Sequence, residues 1–134
     1  MAAGPCAFPR RRESVMHQEI ASKWVEALRH GEYGQTYGYL REEFEEGKFA
    51  YCVLGDLCDI HAKETGEPSF PTSNIGTLPN PVMLWAGMHH CNPDICITLA
   101  DGTQVFADMT EANDEYGVDF ATFANLIERQ AADL

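Results

Sequence analysis

Ile95, Ile97 and Leu99 alternate with Cys96, Thr98 and Ala100, and Asp101-Gly102 follows at once. Period-two alternation sends the apolar side chains to one face of a strand. Asp-Gly is a strong signal for a two-residue hairpin turn. The return strand is then Thr103 to Asp108, and pairing outward from the turn sets Leu99 opposite Gln104 and Ile97 opposite Phe106. An isolated two-stranded hairpin is at best marginally stable in water. Its apolar face therefore needs helices to cover it, and the rest of the chain must supply them.

Three stretches carry the 3.6-residue period. The first runs from Val15 to His30, with Ser14 as N-cap, Gly31 beyond its end, and a stripe of Ile20, Ala21, Trp24, Val25 and Leu28. Glu19 and Lys23 are spaced to pair on its wet side. The second runs from Ala50 to Thr65, closed by Gly66 and Pro68, with Leu54, Leu57, Cys58 and His61 as its buried stripe. Asp56, Asp59 and Lys63 fall toward water in this reading. Gly55 lowers helix propensity by about 1 kcal/mol against alanine, which points to a close approach at that position. The third runs from Phe120 to about Ala132, with Asp119 as N-cap and Val118 stapled to Phe123. A shorter helix, capped by Asn80 with Pro81 at its first position, carries Val82, Trp85 and Ala86 to Gly87.

The connections read as loops. Residues 32–41 form a shaped tyrosine–glycine loop with room for a short strand at 35–40. Glu42 to Gly47 reads as a solvated acidic turn or short helix, and residues 67–79 as a proline-rich surface loop. Residues 1–13, with Arg10, Arg11 and Arg12, read as a flexible arm. The expected fold is α+β: one domain over residues 14–134, with three main helices packed against a β-hairpin (a small antiparallel sheet).

Charge narrows the function. Nine basic residues against 21 acidic ones leave a net charge of −12. Such a surface repels nucleic-acid phosphates, so direct nucleic-acid binding is disfavoured. It suits a basic protein partner, or an inhibitor that imitates nucleic acid. Five cysteines, an odd number with no secretory signal, predict reduced thiols and a cytoplasmic location. No apolar run approaches the ~20 residues of a membrane span.

Ordered blocks of residues carry a family resemblance. Lys23-Trp24-Val25-Glu26-Ala27-Leu28-Arg29, with Gly31, Tyr33, Gln35 and Leu40-Arg41, forms the first. Tyr51-Cys52-Val53-Leu54-Gly55-Asp56-Leu57-Cys58-Asp59 forms the second. Leu78-Pro79, Val82, Trp85-Ala86-Gly87 and Asn92-Pro93 form the third, and Asn113-Asp114, Gly117, Phe120 and Ile127-Glu128 the last. Over residues 20–130 the chain resembles a family of small phage and bacterial proteins with no assigned function. It departs from that pattern at Val53, where a second cysteine is usual, and at Glu115-Tyr116, inserted before Gly117. The resemblance implies an accessory protein of the host cell's cytoplasm, of a counter-defence kind, and no mechanism.

Several chemistries can be weighed on the residues. A cysteine-dependent hydrolase or transferase would use Cys52 at the start of the second helix, with Gln35 upstream and His89 or His90 as base. A buried thiol in an apolar run is otherwise a small core residue. Cys58 with His61, and His89, His90, Cys91 and Cys96, are the nearest thing to zinc ligands, but no Cys-x-x-Cys pair supports them, and no metal is expected. The span Asp108 to Asp119 fails the calcium-loop register, with Ala112 and Asn113 at its fifth and sixth positions. Phosphate-loop, dinucleotide and hydrolase signatures are absent, and no cofactor is expected. What remains is a binding surface. Tyr33, Gln35, Tyr37, Tyr39 and Arg41 offer stacking faces, an amide and a cation, and Asn113 and Asp114 add polar groups from another loop. The leading expectation is a non-enzymatic protein that sequesters a small molecule such as a nucleotide, with Arg41 on the phosphate, or blocks a host protein. A homo-oligomer with sites between chains is compatible with it.

Overall fold

The computed structural model describes residues 16–31, 33–67 and 77–134. The arm at 1–13, the Ser14 cap and most of the loop at 67–79 lie outside them. The fold is α+β, as expected, but richer than three helices on one hairpin: among the described residues five α-helices accompany two small sheets.

Helix α1 spans Gln18–Arg29 and buries Ala21, Trp24, Val25, Ala27 and Leu28. Its entry is tied down by the His17 backbone N–H, which donates to Ala86 O at 2.9 Å. Lys23 does not pair with Glu19; it reaches across to Glu64. Trp24 is fully buried, and its indole N–H donates to Val53 O at 3.0 Å, so the largest apolar side chain of the helix also satisfies its one polar atom.

The tyrosine–glycine segment and the acidic run form a sheet. Strands β1 (Gly34–Gln35), β2 (Arg41–Glu45) and β3 (Lys48–Tyr51) lie in the order β1-β3-β2, with β1 parallel and β2 antiparallel to β3. The expected turn or helix at Glu42 to Gly47 is thus the end of a strand and its hairpin turn. Gly47, at φ 75°, supplies the left-handed residue that the turn needs. The register slips by one residue between Glu43 and Glu45, so Phe44 sits in a bulge and is turned out to water.

Helix α2 spans Val53–Thr65, three residues shorter at its start than expected, because Ala50 and Tyr51 are taken into β3. Gly66 ends it in the left-handed conformation. Its stripe of Leu54, Leu57, Cys58 and His61 is buried as anticipated, but so is Asp56. Helix α3 spans Asn80–Ala86, with Pro79 rather than Asn80 at its N-cap and Gly87 at its end.

Strands β4 (Asp94–Thr98) and β5 (Gln104–Asp108) form the expected hairpin with a different register: Ile97 faces Val105 and Cys96 faces Phe106. Gly102 adopts φ 89°, and Leu99 exchanges backbone bonds with Gly102 and Thr103 around a three-residue turn. One extra turn residue shifts every pair by one. Ile95, Ile97 and Ala107 therefore go to the core, while Phe106 goes to the outer face. Cys96 also departs from expectation, since it is in a disulfide; Cys52, Cys58 and Cys91 are free.

Helix α4 (Met109–Asp114) was not anticipated. Asp108 caps it by accepting from the Glu111 N–H at 2.7 Å. Helix α5 spans Phe120–Gln130, with Asp119 accepting from Thr122 N–H at 2.8 Å, and a 3-10 turn at Ala131–Asp133 follows. Helices α1 and α5 pack side by side, and Arg29 locks them with a two-pronged pair to Glu128 at 2.8 and 3.0 Å. No helix among the described residues is long and apolar enough to cross a membrane.

Candidate functional site

The residues singled out in the sequence divide into an internal knot and an exposed face. Asn113 is the knot. It is fully buried, and all its hydrogen-bonding capacity is used. Its Oδ1 accepts from Gln35 Nε2 at 2.9 Å and from the Val53 N–H at 3.2 Å; its Nδ2 donates to Thr36 O at 2.9 Å and to Asp114 Oδ1 at 2.8 Å. Gln35 also donates to Val118 O at 2.8 Å. Gln35, Asn113 and Asp114 therefore come together, and what they bind is the protein itself: β1, the start of α2 and the turn after α4.

The knot fixes what projects from it. Thr36 leads into Tyr37 and Tyr39, which are 52% and 45% exposed; Val118 closes the turn that carries Tyr116, 45% exposed. Beyond them the β2–β3 hairpin presents Phe44, 63% exposed. Glu42, Glu43, Glu45, Glu46 and Glu115 lie exposed on the same segments. Arg41 lies over the Phe49 ring, 4.4 Å from its centroid, and Lys48 pairs with Glu45. These segments expose aromatic side chains with carboxylates between them along the chain.

Tyr33 belongs elsewhere. Its hydroxyl donates to Asp59 Oδ2 at 2.6 Å, its ring meets Tyr51 edge-on at 4.8 Å, and Lys63 stands over its ring at 5.4 Å. It forms one wall of a groove of about 350 Å³ between α1 and α2. Lys23, Glu26, Ile60 and Glu64 also line the groove.

Cys52 is buried and caps α2, its sulfur accepting from the Gly55 N–H at 3.4 Å. Burial pushes its thiol up to about 12, so the thiolate that a nucleophile requires is scarce at neutral pH. His89 and His90 are exposed, ring to ring at 6.2 Å, and the His89 N–H points to Leu134 O at the chain's end. Cys58 is buried in the core, and burial raises its thiol still further. His61 packs edge-on against Trp85 at 5.0 Å, and burial lowers its imidazole. Among the described residues no three histidine, cysteine or acidic side chains gather as metal ligands.

One residue that the sequence places toward water is the most unusual group in the core. Asp56 is fully buried in the first turn of α2, and neither carboxyl oxygen has a hydrogen-bond partner. Desolvation, and then the nearby Asp59 charge, raise its pKa well above the usual carboxylate value. A folded pKa above the unfolded one contributes stability in full below the unfolded value, about 3.9, and loses it as pH rises toward the folded value. Asp56→Asn is therefore expected to stabilise the protein at pH 7 by about 1–3 kcal/mol, with the gain shrinking toward pH 4. Urea titrations at several pH values check this. A gain independent of pH would mean that Asp56 does not titrate differently on folding.

No curated protein and no solved structure matches the chain. A family model described as a domain of unknown function (DUF8296) matches residues 16–131, from the buried Met16 to the residue just past the end of α5. That span holds both sheets, all five helices, the Asn113 knot and the groove. The chain belongs to this family, DUF8296.

Proposed function

We propose that this is a non-enzymatic binding protein that docks a basic protein partner on the face built by residues 36–51 and the turn at 114–117. One observation carries the reading. Among the described residues, four of the six exposed large hydrophobic side chains (Tyr37, Tyr39, Phe44 and Tyr116) lie on these segments, interleaved with carboxylates. Exposed aromatics are the residues that anchor protein interfaces, and a rim of one charge steers an oppositely charged partner. A bulge that holds Phe44 out of the sheet's own packing fits the same use. The partner that suits this face carries a basic surface of the kind that binds nucleic acid. The reading extends to an accessory role in a host cell, in which the protein blocks that partner, as the resemblance to phage-encoded small proteins implies.

The test is affinity capture from bacterial cells with the wild-type protein, Phe44→Ser and Glu43→Lys. A partner held by this face is retained at low salt and released between about 0.05 and about 0.5 M salt as screening shortens the reach of charge. Either variant should weaken its retention about tenfold or more. A partner held equally by all three proteins, or one indifferent to salt, would rule this face out.

A further inference from the structure

We propose that the groove between α1 and α2 is a binding site for a small zwitterion with an apolar body, of the chemical class of an amino acid with a large side chain. The site shares no residue with the aromatic face and stands apart from the function read from it.

Its size lies at the lower end of small-ligand cavities, which run from roughly 300 to 1,000 Å³. Its apolar surface comes from Ala27 and Ile60 and from the Tyr33 ring. Its polar groups are unusual for this chain. The sequence contains three lysines, and two of them, Lys23 and Lys63, line this groove in a protein of net charge −12. Each is matched by an acid. Lys23 pairs with Glu64, from α1 to α2, and Lys63 pairs with Asp59 at 3.0 Å; Glu26 pairs with His30 at 2.9 Å.

Alternating signs select the ligand. The Lys23 and Glu64 side chains are 50% and 35% exposed, so their pair contributes little to stability and can open. A zwitterion that enters between them gives its carboxylate to Lys23 and its ammonium to Glu64. One ion pair is replaced by two, and no charge is left without a partner. A simple anion leaves Glu64 unmatched, and a simple cation leaves Lys23 unmatched. A nucleotide brings two or more negative charges toward a strongly acidic protein and meets Glu26, Glu64 and Asp59 beside the lysines. The apolar floor then selects a ligand whose body fills it, so glycine should be bound far more weakly than phenylalanine.

The experiment is a titration of the isotope-labelled full chain, followed by amide chemical shifts, with L-phenylalanine, 3-phenylpropionate, phenethylamine and adenosine monophosphate as probes. L-phenylalanine is expected to give saturable shifts confined to the facing sides of α1 and α2. Each single-ended analogue and the nucleotide should bind at least about tenfold more weakly. Lys23→Met and Glu64→Gln, both at exposed side chains, should each weaken L-phenylalanine about tenfold while the thermal midpoint stays within a few degrees. Lys23→Met should strengthen phenethylamine binding, because Glu64 then meets the ammonium with no lysine left unmatched, and this gain separates loss of a ligand contact from loss of the fold. Absence of saturable shifts with L-phenylalanine, equal binding of 3-phenylpropionate, or indifference to both variants would overturn the proposal.

Discussion

Gly55→Ala is expected to destabilise the protein by more than about 4 kcal/mol, enough to leave a marginal domain largely unfolded. In an open helix the same change would gain about 1 kcal/mol from propensity, so the sign of the effect is the test. A Cβ at position 55 would lie 1.8 Å from Leu40 O, 2.7 Å from its carbonyl carbon and 3.3 Å from its Cα. These are backbone atoms, and no rotamer change moves them. Either α2 shifts away from the chain entering β2, or that chain moves. In both cases the Cys52 N–H loses its bond to Leu40 O, now 3.2 Å, and Leu40, fully buried, loses its packing. Denaturant titration of the variant measures the loss. A protein as stable as wild type, or more so, would mean that α2 and residue 40 are not in contact.

That position illustrates what a sequence exposes and what it hides. A glycine where a helix wants alanine signals a close approach, but not the partner; Leu40 emerges only when the tertiary fold is known. The three long helices are legible because their stripes repeat at 3.6 residues over three turns or more, and Asp119, Gly66 and, for the shorter α3, Gly87 mark helix ends with local chemistry. Helix α4 has six residues, too few for a period to show, and its one signal was Asp108 three residues before Glu111. The β2–β3 hairpin was obscured by its glutamates, which suit an edge strand exposed to water but resemble a loop in composition. The β4–β5 register differed by one because Asp-Gly serves both the two-residue turn and the three-residue turn that the chain adopts.

The candidate site was legible in its residues more than in their roles. Polar residues in glycine-bearing loops drew notice to Gln35 and Asn113, and they do meet, at 2.9 Å. Asn113 lies in α4, which the sequence does not announce, and in the structure its amide and that of Gln35 bond to backbone groups at Val53, Thr36 and Val118. Asp56 was placed in water by its helical position alone. Tertiary packing around α2 removes it from solvent, and no local pattern announces that. The groove lysines lie 40 positions apart, and only the packing of α1 on α2 brings them together.

Asn113→Ala is expected to cost about 3–5 kcal/mol, because it strands several buried groups at about 1–3 kcal/mol each. The Val53 N–H at the start of α2 loses its acceptor, and Thr36 O loses its donor; Gln35 keeps Val118 O. Asn113→Asp separates hydrogen bonding from shape. It preserves volume and the Oδ1 acceptor, but places an acceptor opposite Thr36 O and Asp114 Oδ1, where the amide now donates. It should therefore be no better tolerated than alanine, whereas a role in shape alone would leave it near wild type. Gln35→Ala, at the half-buried edge of the knot, should cost only about 1 kcal/mol. Hydrogen exchange gives a second, local readout, in which Asn113→Ala speeds exchange of the Val53 amide more than that of amides in the middle of α5. The same substitution removes one of three ties at Thr36, which keeps its N–H on Tyr51 O at 2.8 Å and its hydroxyl on Glu42 at 2.7 Å, and so loosens the segment that presents Tyr37 and Tyr39. On the docking role proposed above, a variant assayed where it is still folded should consequently retain the captured partner less tightly, although Asn113 itself is fully buried.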